Sequence, residues 1–256
     1  MNRTLLRASC RGAAALAGTG LLMALTAAPA SATPDLCVSI NGTVRVQKGS
    51  ATCSSVAGRG NVAIARGKGS TATAGVSNGD QHNRAVASGD NSVAFTANGS
   101  GNTATASGDG SVASAALGNG NTAKASGTEG GATAEGTNQT AIASGDNGSA
   151  VARFGENSTA TASGDESFAN ANGGDHNTAT ARGDNSSALA VTGNDNTAIA
   201  RAKKSSATAS NGNDNTAIAR AKKSSATASN GDNNTAIASS RNCTAVATGG
   251  GARDRC

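Results

Sequence analysis

Few side chains in this sequence could do chemistry, and their spacing matters more than their number. His82 and His176 are the only two histidines. Aspartates follow a glycine at Asp90, Asp109, Asp146, Asp165 and Asp184. Lys203, Lys222 and Arg241 continue that series downstream, with Lys204 and Lys223 beside the two lysines and Arg182, Arg201 and Arg220 close by. The cysteines are Cys10, Cys37, Cys53, Cys243 and Cys256. Imidazoles can move protons, carboxylates in glycine turns can hold calcium, rows of cations can hold phosphates, and paired thiols can cross-link an exported chain.

What must position these residues is a repeat. Residues 197–234 read TAIARAKKSSATASNGNDN followed by TAIARAKKSSATASNGDNN, differing only at Asn213/Asp214 against Asp232/Asn233. Self-similarity at a fixed period marks a repeat architecture. Numbering each unit from its first residue, the openers are Arg84, Thr103, Thr122, Thr140, Thr159, Thr178, Thr197, Thr216 and Thr235. All are 19 residues apart except Thr122 and Thr140, which are 18 apart. Alanine is unbroken at plus one, plus three and plus ten, and at plus twelve it yields only to Thr96. Alanine at every second residue, twice per unit, reads as two short strands with the methyls on one face. The residues between them include Lys124 and Arg182, so that face meets water. Gly-Asp-Asn and Asn-Gly-Asp clusters between the strands are turn chemistry. The expected fold is all-β: a narrow two-sheet β-solenoid, or β-roll, of about 19 residues per coil and about ten coils, with an alanine-lined core and disulfide-capped ends. A polar column, Asn83, Asn102, Asn121, Gln139, Ser158, Asn177, Asn196, Asn215 and Asn234, precedes the openers. It reads equally as a buried amide ladder or as a set of left-handed turn residues.

On this frame the chemistry narrows. His82 and His176 fall at one turn position five coils apart, about 24 Å at strand spacing, and cannot share a site. No G-x-S-x-G elbow or HExxH motif occurs. A non-enzymatic protein without cofactors is expected. The Gly-Asp turns are similar to those of calcium-binding nonapeptide rolls, but each coil offers about one carboxylate and calcium takes six to eight oxygens. Solvated turn aspartates are the better reading, and no metal site is expected. The cations Arg201, Lys203, Lys204, Arg220, Lys222 and Lys223 form a ladder along one corner. It reads as solubilising surface charge, or as a docking strip for an anionic envelope polymer.

Composition agrees with export. The chain has no Trp, no Tyr and three Phe. Arg3, Arg7 and Arg11 precede an apolar run that ends in Ala30-Ser31-Ala32, so residues 1–32 are expected to be a cleaved signal peptide. Removing three arginines and no acid takes the formal charge from +5 to +2, too weak to imply nucleic acid. No later stretch is long and apolar enough for a membrane span. Four cysteines remain, with three possible connectivities. Position favours Cys37–Cys53 and Cys243–Cys256, because a solenoid holds its ends apart. The expected organisation is a capping hairpin at 33–57, turning at Asn41-Gly42, solenoid repeats at 58–247, and a C-terminal cap or tail at 248–256.

GDNSVAFTANG and its neighbours resemble the head repeats of trimeric autotransporter adhesins, which implies left-handed β-rolls and a surface-interaction role. GNDNTAIA and GDNNTAIAS are similar to the repeats of grass-type ice-binding β-solenoids. The signal peptide and overall plan also resemble an uncharacterised secreted family of high-GC Gram-positive bacteria. The function expected is a secreted structural or adhesin-like protein of the cell envelope, whose partner is an anionic envelope polymer or a second copy of itself. The alternative is an ice-binding protein whose face would carry Thr103, Thr105, Thr159, Thr161, Thr178 and Thr180. On that face Thr-x-Ile pairs replace Thr-x-Thr elsewhere, and Arg84 and Lys124 interrupt.

Overall fold

The computed structural model describes residues 34–256; the expected leader and Cys10 lie outside them. The described chain is all-β, a solenoid of about 11 turns closed by a 13-stranded and an 11-stranded sheet. Strands that begin at the openers fill the first sheet, and those around the plus-ten alanines fill the second. Like residues stack on like: Thr197, Thr216 and Thr235 are parallel-paired neighbours, as are Ala198, Ala217 and Ala236. A period of two within each strand sends alternate residues inward, and the alanine columns are almost wholly buried. Apart from Cys37 at one end, the buried hydrophobic core is built of alanine methyls. The two sheets therefore close without the large side chains that an ordinary domain of this length would use.

The asparagine column resolves as a ladder. Its members are fully buried. The Asn83 Oδ1 accepts the Asn102 N–H at 2.9 Å, and the Asn102 Oδ1 accepts the Asn121 N–H at 2.9 Å. Asn102 Nδ2 donates to the Gly118 carbonyl at 2.8 Å. The left-handed residues are instead those immediately before the column, such as His82, Asn138, His176 and Asp214. A second buried polar column, Ser92, Ser111, Ser167, Ser186, Ser205 and Ser224, lines the opposite corner. At Ser92, Ser111, Ser205 and Ser224 the Oγ closes the turn onto the carbonyl three residues earlier, as Ser111 does to Gly108 at 2.6 Å. Sequence reading missed it, although serine recurs at plus eight and was visible as a column.

Both ends are capped. Leu36–Ile40 and Thr43–Lys48 form an antiparallel hairpin on the edge of the first sheet. Asn41 and Gly42 both have positive φ, as a type I′ turn requires. Parallel stacking already includes Thr52–Ser55, in register with Thr71–Ala74, so the coils start before residue 58. Cys37 pairs beside Ala65 and Cys53 beside Ala72, so this disulfide takes two places in the alanine columns. At the other end Arg253–Arg255 adds a final strand to the first sheet beside Thr235 and Ile237. The Cys243–Cys256 disulfide secures it, and Asp254 accepts the Val246 N–H at 2.7 Å on the outermost strand of the second sheet. Edge donors blunted in this way do not template further strands.

One coil is longer than the rest: Val62 pairs with Arg84. Its extra residues lie in the exposed turn after Gly75, tied down by the buried Asp80. The Asp80 carboxylate accepts N–H groups of Val76, Ser77, Asn98 and Gly99. Burial raises its pKa, but those four bonds together prevail and hold it below the ordinary 3.8.

Candidate interaction surfaces

The residues singled out for catalysis and metal binding do not come together. His82 and His176 are both exposed and stand at separate coils of one corner. No cluster of three or more His, Cys, Asp or Glu that could hold a metal exists among the described residues. The plus-six aspartates have a backbone role instead. Four of the five cap the turn of the preceding coil: Asp90 accepts the Lys68 N–H at 2.8 Å, Asp109 that of Asp90 at 2.9 Å, Asp146 that of Thr128 at 2.8 Å, and Asp165 that of Asp146 at 3.1 Å. The four cysteines among the described residues are consumed as Cys37–Cys53 and Cys243–Cys256.

The basic corner does come together. Stacking in register places Arg201 beside Arg220 and brings Lys203, Lys204, Lys222 and Lys223 into two adjacent coils, all exposed. Arg182 and Arg241 extend the strip at either end. Its one ion pair among the described residues is Lys203 to Asp184, 3.7 Å apart and exposed on both sides. A pair that exposed is worth little. Like charges one strand apart, about 4.8 Å, repel by roughly 1 kcal/mol in water.

The outer face of the first sheet carries an unbroken, in-register row of threonines from Thr103 to Thr235. Two residues along, the parallel row reads Thr105, Lys124, Ile142, Thr161, Thr180, Ile199, Ile218 and Ile237. Thr159, Thr161, Thr178 and Thr180 are thus neighbours, whereas the coils of Thr122 and Thr140 separate them from Thr103 and Thr105. Arg84 stands at one end of the threonine row and Arg253 at the other. Lys124 is exposed within the face.

The second sheet is less regular outside. All three phenylalanines lie there or at its corner: Phe95, Phe168, and Phe154, which is 67% exposed at positive φ. Sequence reasoning passed over them because no motif surrounds them.

No protein-family model, curated protein or solved structure matches this chain.

Proposed function

We propose that this chain is an exported, non-enzymatic surface-interaction rod of the cell envelope, adhesin-like in using repeated side chains to engage a repetitive partner. The observation that supports it most is register: every coil sets its outward residues beside their equivalents, so a substitution made once per repeat becomes a continuous row. Two disulfides are compatible with an extracellular place, and no helix among the described residues is long and apolar enough to cross a membrane. The resemblance to adhesin head repeats agrees with this reading. The test is co-sedimentation of the purified mature chain with isolated envelopes of the producing cells. Retention is expected at low salt; a chain that stays wholly in the supernatant refutes the assignment.

The threonine row favours a second reading, ice binding. A flat row of alternating hydroxyl and methyl groups at strand spacing can order water along one face. Thermal hysteresis by the mature chain, abolished by Thr159→Lys with Thr178→Lys, is the result this reading requires. Absence of hysteresis removes it.

A further inference from the structure

We infer that the corner formed by Arg201, Lys203, Lys204, Arg220, Lys222 and Lys223 is a binding strip for a linear phosphodiester polymer of the cell wall, a poly(alditol phosphate). The polymer's location rests on the envelope reading above; the chemistry of the strip does not. Three replacements at this one corner carry the inference, and each works against local stability.

At plus five the column is glycine from Gly89 to Gly183 and then becomes Ala202 and Ala221. A Cβ added to Gly164 would come within 2.5 Å of the Gly183 backbone, so the coils stack tightly at this position. At plus six, Asp90, Asp109, Asp146 and Asp165 cap the preceding turn. Lys203, Lys222 and Arg241 have no acceptor atom to offer, and the N–H groups that an aspartate would cap lose that partner. At plus seven, Lys204 and Lys223 are both left-handed at φ 57°, in a column that elsewhere holds Asn91, Asn147, Asn185 and Asn242, and Glu129 and Glu166. Asparagine tolerates that conformation better than lysine.

These changes are confined to one corner. The opposite corner keeps its own ladder through the same coils: Asp175 N–H to Asn194 Oδ1 at 2.8 Å, Asn194 to Asn213 at 2.9 Å, and Asn213 to Asp232 at 2.7 Å. Departures from local preference that occur together, twice in succession, mark a requirement other than folding. The resulting cations repel one another until an anion lies among them. Each coil supplies a guanidinium and two ammonium groups, and coils repeat at about 4.8 Å. A chain of phosphates running along the rod therefore meets fresh donors at every coil. Asp184, paired with Lys203, closes the strip on one side, and the carboxylates from Asp90 to Asp165 repel the polymer beyond it. Nucleic acid fits poorly. The three phenylalanines belong to the second sheet, so no aromatic platform for bases accompanies the strip.

The experiment is calorimetric titration of the full mature chain with purified poly(glycerol phosphate) over a series of salt concentrations. One variant carries Lys203→Gln, Lys204→Gln, Lys222→Gln and Lys223→Gln. A control of equal net charge carries Arg45→Gln, Lys48→Gln, Arg59→Gln and Lys68→Gln. Binding by the strip variant should fall at least tenfold, with a salt slope shallower by roughly 0.7 for each lysine that meets a phosphate, while the control binds as wild type does. The strip variant should melt no lower than wild type, since it relieves repulsion. Equal binding by wild type and strip variant overturns the proposal, as does equal weakening in the control. A single-stranded oligonucleotide that binds as tightly as the polymer overturns the choice of ligand. Envelope co-sedimentation by a chain that binds no polymer removes the strip and leaves the rod reading standing. Polymer binding without envelope association does the reverse.

Discussion

The coil from Val62 to Arg84 and the coil from Thr122 to Thr140 depart from 19 residues in opposite directions; each keeps the ladder rung that spans it, but only the shorter one is followed by a broken rung. In the longer coil Asn61 Oδ1 still accepts the Asn83 N–H at 3.0 Å, and its Nδ2 reaches the Asp80 carbonyl at 2.7 Å. The extra residues lie outside, where Asp80 gathers four backbone donors. In the shorter coil the register shifts between Glu135 and Thr137. Gln139 then stands in the asparagine column, and its backbone N–H still donates to Asn121 Oδ1 at 2.9 Å. Its amide nitrogen reaches the Gly155 carbonyl, but its Oε1 is buried without a partner. The ladder depends on the fixed coil-to-coil step at the inner wall. Chain added outside a corner leaves that step alone, given a residue to bind the loose backbone. Chain removed from a corner leaves the rung across the shortened coil in place and costs the next one.

The largest effect should come from cutting the clip that makes the insertion tolerable. Asp80→Ala removes the acceptor of four N–H groups in one step and should cost about 3 kcal/mol. Asp90→Ala, which uncaps only the Lys68 N–H at an exposed corner, should cost under about 1 kcal/mol. Thermal melts of the two variants against wild type decide it, and equal shifts would show that the long coil does not rely on its clip. The same group gives a pH dependence. The folded pKa of Asp80 is depressed, so its stabilising contribution is complete well above 3.8 and is lost as pH falls through the folded value. Wild type should therefore lose more stability than Asp80→Ala on acidification below pH 3.8.

The two anomalous coils also show what could be read from sequence. Period, faces and disulfides were legible because every coil solves one packing problem in the same way: Ala160, Ala179 and Ala198 face inward for the reason that Thr161, Thr180 and Ile199 face out. The basic strip was legible for the same cause, since Lys203 and Lys222 share a column. Asp80 was not, because it lies in the turn where the count slips, and no repeat announces a residue that occurs once. The role of the plus-six aspartates was hidden too. A turn aspartate accepting a neighbouring coil's N–H reads in sequence like one facing water.

The regular coil that follows the deletion supplies a reference for both. Ala160 has no exposed surface in a core built of methyls, so Ala160→Leu overpacks it and should cost roughly 1–3 kcal/mol. Thr161→Leu, one residue along and facing out, should stay within about 0.5 kcal/mol. A larger loss at Thr161 than at Ala160 would reverse the faces of the first sheet.

The smallest effect concerns the broken rung. At intact junctions a buried Asn Oδ1 accepts the next coil's N–H, as Asn177 does from Asn196 at 3.0 Å and Asn196 from Asn215 at 3.1 Å. Gln139 carries one more methylene, its Oε1 is orphaned, and the next member of the column is Ser158. Ser158 makes the following junction with a single oxygen, donating to Gly174 and accepting from Asn177. Gln139→Asn shortens the side chain to the length used elsewhere and should return an acceptor to the Ser158 N–H. A buried unpaired carbonyl costs about 1–3 kcal/mol, and the lost methylene removes about 0.8 kcal/mol of burial. The balance is a gain of about 1 kcal/mol, or a rise in melting temperature of roughly 2–4 °C for a chain of this size. Amide exchange should show the Ser158 N–H newly protected. A lower melting temperature with Ser158 unprotected would mean that the extra methylene spans the gap left by the missing residue, and that the deletion coil, like the insertion coil, already carries its own repair.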